Sequence, residues 1–197
     1  SSDSSVDLAA NGLDADININ AAVTTATDGS VILMADDTIT FAAAGDITAS
    51  GTGSVTITAN ADVSAGNGND RITMADGTVI DAGSGAISLS TAGANGGVLT
   101  VGRLITTSSS SSAVTINSNS TILDAGDTTT FDNVTAQSGG LVMTAGSSIA
   151  NTGALEIDVV SLSATNSANS LFIDLSSDVS ITSLNINTQA NFTGTGN

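Results

Sequence analysis

Short apolar runs, each cut off by a cluster of Gly, Asn, Asp or Ser, follow one another along almost the whole chain. Ser54–Ala59, SVTITA, shows the alternation most cleanly. Val55 and Ile57 fall on one side of an extended backbone and Thr56 and Thr58 on the other, because strand side chains alternate with a period of two. Comparable runs are Val31–Met34, Thr38–Phe41, Asp46–Ala49, Arg71–Met74, Thr78–Ile80 and Ala86–Ser90. They continue as Val98–Val101, Leu104–Thr107, Val114–Asn117, Thr121–Asp124, Leu141–Ala145, Leu155–Val160, Leu171–Leu175 and Val179–Asn187. The separators are residues that turn the chain or tolerate positive φ. Each run therefore predicts a strand. A helical reading fails because Thr, Ser, Gly, Asn, Val and Ile dominate, and all are poor helix formers.

Two of the longer runs change phase. In ALEIDVVSLSA, Leu155, Ile157 and Val159 share a face, after which the apolar positions move to Val160 and Leu162. In VSITSLNIN, Val179 and Ile181 give way to Leu184 and Ile186. A phase change predicts a bulge or a corner, since alternation is strict along a flat strand. Short strands joined by corners are the elements of a β-solenoid. Three strands with their turns make a coil of roughly 20–30 residues, so the chain holds on the order of seven to nine coils. Stacked strands about 4.8 Å apart give a body roughly 35–45 Å long. Segments beginning at Gly29, Gly53 and Gly85 share a glycine, a small residue and an aliphatic strand, as degenerate repeats would.

Composition narrows the architecture. Aromatic residues make up 2% of the 197 residues, four Phe in all, while 40% are hydrophobic. A core of Val, Ile, Leu and Ala in thin layers suits a narrow solenoid. The expected fold is an all-β parallel β-solenoid forming one elongated segment over residues 1–197. A β-sandwich is the alternative, but it usually places a Trp or Tyr in its core, and neither occurs here. Proline is absent too, in keeping with strands paired on both edges. The chain opens on Ser1, so a processed product or a piece of a longer or polymerising protein is expected.

The charge balance excludes whole classes of function. Nineteen acids face two bases, Arg71 and Arg103, for a net charge of −17. Phosphate backbones need Lys and Arg, so no nucleic acid is expected as a partner. No apolar run reaches the length of a bilayer span, so no membrane insertion is expected. Without cysteine there is neither a disulfide nor a thiolate metal site. Serine is plentiful, but no His or Lys can act as its base, which removes the usual nucleophilic hydrolases. The Ser108–Ser112 run reads as a flexible loop.

The stretch GSVILMADDTITFAAAGDITASGTGSVTITANADVSAG resembles the filamentous haemagglutinin class and the giant bacterial surface adhesins related to it. The resemblance spans Asn18 to Asn187 and rests on cadence: recurring G-(S/A)-hydrophobic strands and A-D or G-D-x-I-x units. It implies a right-handed parallel β-helix, export to the bacterial cell surface or beyond, and a role in adhesion.

Two local patterns bear on chemistry. Ala65–Thr73, AGNGNDRIT, is close to the Ca²⁺-binding nonapeptide of RTX repeats. Gly66 and Gly68 would expose carbonyls on a tight turn and Asp70 would supply a carboxylate, making Ca²⁺ the one candidate cofactor. The next nine residues break the pattern, so a simple turn competes with the cation site. Paired carboxylates raise the question of a carbohydrate-acting β-helix enzyme: Asp14/Asp16, Asp36/Asp37, Asp76/Asp81 and Asp124/Asp127. The competing reading places Asp at turns and coil corners. No set of groups meets the requirements of a catalytic site, and no enzyme is expected.

The sequence therefore predicts a structural or adhesive segment of an exported bacterial surface protein or filament. A Ca²⁺-binding RTX-like module is the alternative. Its partners would be further coils or copies of itself end to end, or another cell surface. Phe41, Phe131, Phe172 and Phe192 are the expected core-stack or contact residues. Phe172 and Phe192 are the candidates for an interface, because Phe172 shares its phase with Asp174.

Overall fold

Each apolar run becomes one wall of a coil. The computed structural model describes residues 4–12, 14–61, 70–91, 97–126, 131–150, 153–187 and 189–194, and every regular element among them is a strand. The first coil consists of β1 (Val6–Ala10), β2 (Ile17–Ile19) and β3 (Val23–Thr24). The second repeats it with β4 (Val31–Ala35), β5 (Ile39–Phe41) and β6 (Ile47–Thr48). The third has β7 (Val55–Ala59), β8 (Ile72–Met74) and β9 (Val79–Asp81), and the fourth β10 (Ile87–Thr91), β11 (Leu99–Val101) and β12 (Arg103–Ile105). The fifth opens with β13 (Val114–Ser118) and β14 (Ile122–Asp124). Beyond it strands run through the corners: β15 (Val134–Ala145), β16 (Leu155–Asn166) and β17 (Ser170–Leu175). β18 (Ser180–Asn185) and β19 (Gln189–Gly194) complete the described strands.

Every strand pairs in parallel with its counterpart one coil away. The fold is a parallel β-helix with three walls, as the alternation predicted. On the first wall Val6, Val31, Val55, Ile87, Val114, Leu141, Leu162 and Ile181 stand in one register-aligned row. That row marks eight levels, within the expected seven to nine. The second wall stacks Ile17, Ile39, Ile72, Leu99 and Ile122. The third stacks Val23, Ile47, Ile80, Leu104, Val134, Ile157 and Leu175. The core is thus columns of aliphatic side chains, each resting on its equivalent about 4.8 Å away. Phe41, the largest fully buried side chain, lies in a column between Ile19 and Met74.

Coil length varies while the rows hold. The step from Val6 to Val31 is 25 residues, from Val55 to Ile87 it is 32, and from Leu162 to Ile181 it is 19. Only these last two steps leave the expected range, the first above it and the second below it. The difference is taken up in the corners, because a one-residue slip within a wall would turn its apolar face outward.

The two predicted phase changes are a corner and a bulge. Val159 is buried and Val160 is 49% exposed, so the chain turns from the third wall to the first between them and resumes its alternation at Leu162. At the second, Thr182 is an extra residue between Ile181 and Ser183, and its hydroxyl donates to the Leu162 carbonyl at 3.1 Å. The Ser108–Ser112 run, read from sequence as a flexible loop, is a defined corner. The Ser110 and Ser112 amides donate to the hydroxyls two residues back, as in ST-turns, and the Ala113 amide donates to the Ser110 carbonyl.

Gly29, Gly53 and Gly85, the repeat starts of the sequence, form a column at the corner before the first wall. A Cβ on Gly53 would stand 2.7 Å from the carbonyl carbon of Gly29, and one on Gly85 would stand 2.5 Å from that of Gly53. Backbone passes so close to backbone here that no side chain fits between coils.

Candidate functional site

The acidic side chains near the N-terminal coils bind the molecule to itself. Asp16 accepts from the Thr38 amide, Asp36 from the Gly12 amide, Asp28 from the Thr52 amide and Asp46 from the Val79 amide. Each bond joins one coil to the next, at a corner where the backbone leaves its ladder and its amides need acceptors. Thr52 donates twice to Asp28, from its amide at 2.7 Å and its hydroxyl at 2.9 Å. Those bonds hold the Asp28 carboxyl below the ordinary aspartate range. Asp81 accepts from the Gly83 amide within its own turn.

Gly66 and Gly68 of the candidate Ca²⁺ turn lie outside the described residues. Asp70 is buried, 1% exposed, and its carbonyl accepts from the Gly97 amide. Among the described residues no three His, Cys, Asp or Glu side chains gather as metal ligands. Of the two candidate interface residues, Phe172 is half-buried in phase with Asp174, and Phe192 stands opposite Ile173 on the inward side. The structure thus places the two rings on opposite sides of the β17–β19 pair.

Two surfaces stand out. The first is the edge formed by β18 and β19. Among the described residues β18 pairs with β16 alone and β19 with β17 alone, so no described strand takes up the backbone groups along their outer edges. Ile181 and Leu184 continue the inward rows of the first wall, yet they are 47% and 40% exposed. At the opposite level, Leu8 continues the row of Leu33 and is 45% exposed.

The second surface is a cleft at the corner between the second and third walls. In the fourth coil one residue, Gly102, separates β11 from β12. The third coil takes Ala75–Thr78 to make the same corner, and the fifth takes the longer path from Asp124 to Val134. The shorter corner sits lower than its neighbours and leaves a cleft of about 130 Å³ above it. A Cβ on Gly126 would stand 2.5 Å from the Asp76 carboxyl carbon, so the corners of the third and fifth coils meet across the fourth.

Arg103 projects into this cleft from the start of β12. Its guanidinium carbon lies 4.9 Å from the centroid of the Phe131 ring, a cation–π arrangement. Phe131 is 60% exposed, so of the two places expected for it, core stack or contact surface, it is not in the core. Asp76, Asp124 and Asp132 line the cleft with Arg103, but no described carboxylate forms an ion pair with it. Asn133, 7% exposed, closes the floor. Its amide nitrogen donates to Asp124 Oδ1 at 2.8 Å and to the Gly102 carbonyl at 3.2 Å, and its Oδ1 accepts from the Glu156 amide at 3.0 Å. Asp124 Oδ1 also accepts from the Gly126 amide, and Asp132 accepts from the Ser176 hydroxyl.

The sequence pairing of Asp76 with Asp81 and of Asp124 with Asp127 is replaced by Asp76 with Asp124, from coils two levels apart; Asp127 lies outside the described residues. The sequence did hold one signal for the cleft. Val98–Val101 and Leu104–Thr107 are two strand runs with almost nothing between them, and a corner that short must sit below longer ones.

No family model matches the chain, and neither the curated proteins nor the solved structures contain a match.

Proposed function

We propose that this chain is a structural and adhesive segment of an exported bacterial surface protein, built to extend by stacking coils end to end. The observation that carries this reading is the β18–β19 edge. Its strands are in register with seven levels beneath them, no described strand pairs with its outward hydrogen-bonding groups, and its inward row is half open to solvent. The same row is open at Leu8 on the other end. A second copy docked head to tail would set Ile181 beside Val6 and Leu184 beside Leu8, continuing both apolar columns. Such a contact joins two different surfaces, so it propagates into a filament instead of closing into a dimer.

The net charge of −17 opposes this contact at low salt, where like charges repel over long distances. Sedimentation velocity and negative-stain imaging of the full chain test the reading, from about 0.01 M to about 0.5 M salt. The expected result is rods that lengthen with protein concentration and with salt, and that Leu184→Lys abolishes. A chain that stays monomeric throughout overturns end-on assembly, as does assembly indifferent to Leu184→Lys.

A further inference from the structure

We propose that the corner cleft over Gly102 binds a single neutral saccharide ring, with Phe131 as its stacking platform and Arg103 and Asp76 as hydrogen-bonding partners. The inference deepens the adhesive half of the reading above, and its test is independent of end-on assembly.

A pyranose ring carries an apolar face of C–H groups and a rim of hydroxyls. It is held by an aromatic surface under the face and by planar polar groups around the rim. The cleft offers both. Phe131 is 60% exposed, which is unusual for the bulkiest kind of side chain in a protein with only four. Arg103 over its ring fixes the ring's position. Around it stand Asp76, with acceptor oxygens, and the Arg103 guanidinium, with donors. At about 130 Å³ the cleft is smaller than pockets for drug-sized ligands, which suits one ring or the end of a chain.

Charge selects among ligand classes. An anionic ring would meet Asp76, Asp124 and Asp132 against one guanidinium, on a chain of net charge −17. A divalent cation lacks its cage, since no three acidic side chains gather as ligands among the described residues and Asp124 and Asp132 already accept internal bonds. An amine would bring a second positive charge beside the Arg103 guanidinium, which already lies over the Phe131 ring. A neutral polyol uses carboxylate acceptors and guanidinium donors together and adds no charge.

Ligand-observed saturation-transfer NMR on the full chain tests this. The probes are glucose, galactose, mannose and N-acetylglucosamine, with glucuronate and N-acetylneuraminate as the anionic arm and lysine methyl ester as the cationic arm. The expected result is saturable binding of at least one neutral sugar. Phe131→Ala should weaken it roughly tenfold or more, as truncating a central aromatic contact does. Asp76→Asn and Arg103→Gln should each weaken it measurably, and circular dichroism should show all three variants folded. Binding confined to the anionic or the cationic probes overturns the proposal. So does the absence of binding by every neutral sugar, or neutral-sugar binding that Phe131→Ala and Asp76→Asn both leave unchanged. Neither outcome bears on whether the chain assembles end to end.

Discussion

Gly53 lies against the backbone of Gly29, close enough that a Cβ on Gly53 would stand 2.7 Å from the Gly29 carbonyl carbon. The obstacle is backbone two residues before β4, a strand paired in parallel on both sides, so it cannot swing away as a side-chain tip could. Gly53→Ala should therefore destabilise the protein by about 1–3 kcal/mol, the usual cost of overpacking. Gly77 is the comparison. Its φ is +84° and nothing lies within 4 Å of its Cβ position, so Gly77→Ala costs only backbone strain, about 1 kcal/mol. Urea melts of both variants check the order. A Gly77→Ala loss larger than that of Gly53→Ala would show that close approach is not what the glycine column is for.

Phe41 and Phe131 have the same side chain and opposite roles. Phe41 is 1% exposed between Ile19 and Met74, and Phe41→Ala should cost about 3–5 kcal/mol through lost burial and the cavity left behind. Phe131→Ala removes an exposed ring and one cation–π contact and should cost no more than about 1 kcal/mol. Thermal unfolding distinguishes them. A large loss for Phe131→Ala would mean that the ring supports the fold more than the cleft.

These residues also show how far the sequence could be read. The alternation in VTITA and the phase changes near Val160 and Thr182 were legible because one buried face forces a period of two, and any break in it needs a corner or a bulge. β1, β2, β3, β19 and the first part of β15 were not. VDLAA and QANFTG carry few bulky apolar residues and INI is only three residues long, so their strand character comes from the neighbouring coil they pair with. Phe131 illustrates the limit best. Its hydrophobicity left core and contact surface both open, and its place depends on the relative lengths of three corners, one of which is the single residue Gly102. Corner lengths can be compared only once the register between coils is known.

Asp28 gives the stability a specific pH dependence. The Thr52 amide, and then the Thr52 hydroxyl, favour the charged carboxylate and hold it below its ordinary value, against a smaller opposing effect of desolvation. A carboxyl depressed in the folded state contributes stability that is present above its unfolded value, about 3.9, and is lost as pH falls through the folded value. The melting-temperature gap between the wild-type chain and Asp28→Asn should therefore be constant near neutrality and shrink below about pH 4. Taking the difference cancels the changing repulsion among the other acids. A gap that persists undiminished at about pH 2 would rule out the Thr52 bonds as its source.

Asn133 ties three coils together. From the fifth coil its amide nitrogen reaches the Gly102 carbonyl of the fourth and Asp124 Oδ1 of its own, while its oxygen receives the Glu156 amide of the sixth. The side chain is 7% exposed, so water replaces these bonds poorly. Asn133→Ala leaves a carbonyl, a carboxylate oxygen and an amide short of partners, and should cost about 1–3 kcal/mol or more. It should also loosen the floor of the cleft, because Asp124 loses the bond that orients it and keeps only the Gly126 amide on that oxygen. Hydrogen exchange reads both effects. The Glu156 amide should exchange faster in Asn133→Ala even where global stability is matched by temperature. Unchanged protection at Glu156 would mean that the ladder, and not Asn133, holds this corner.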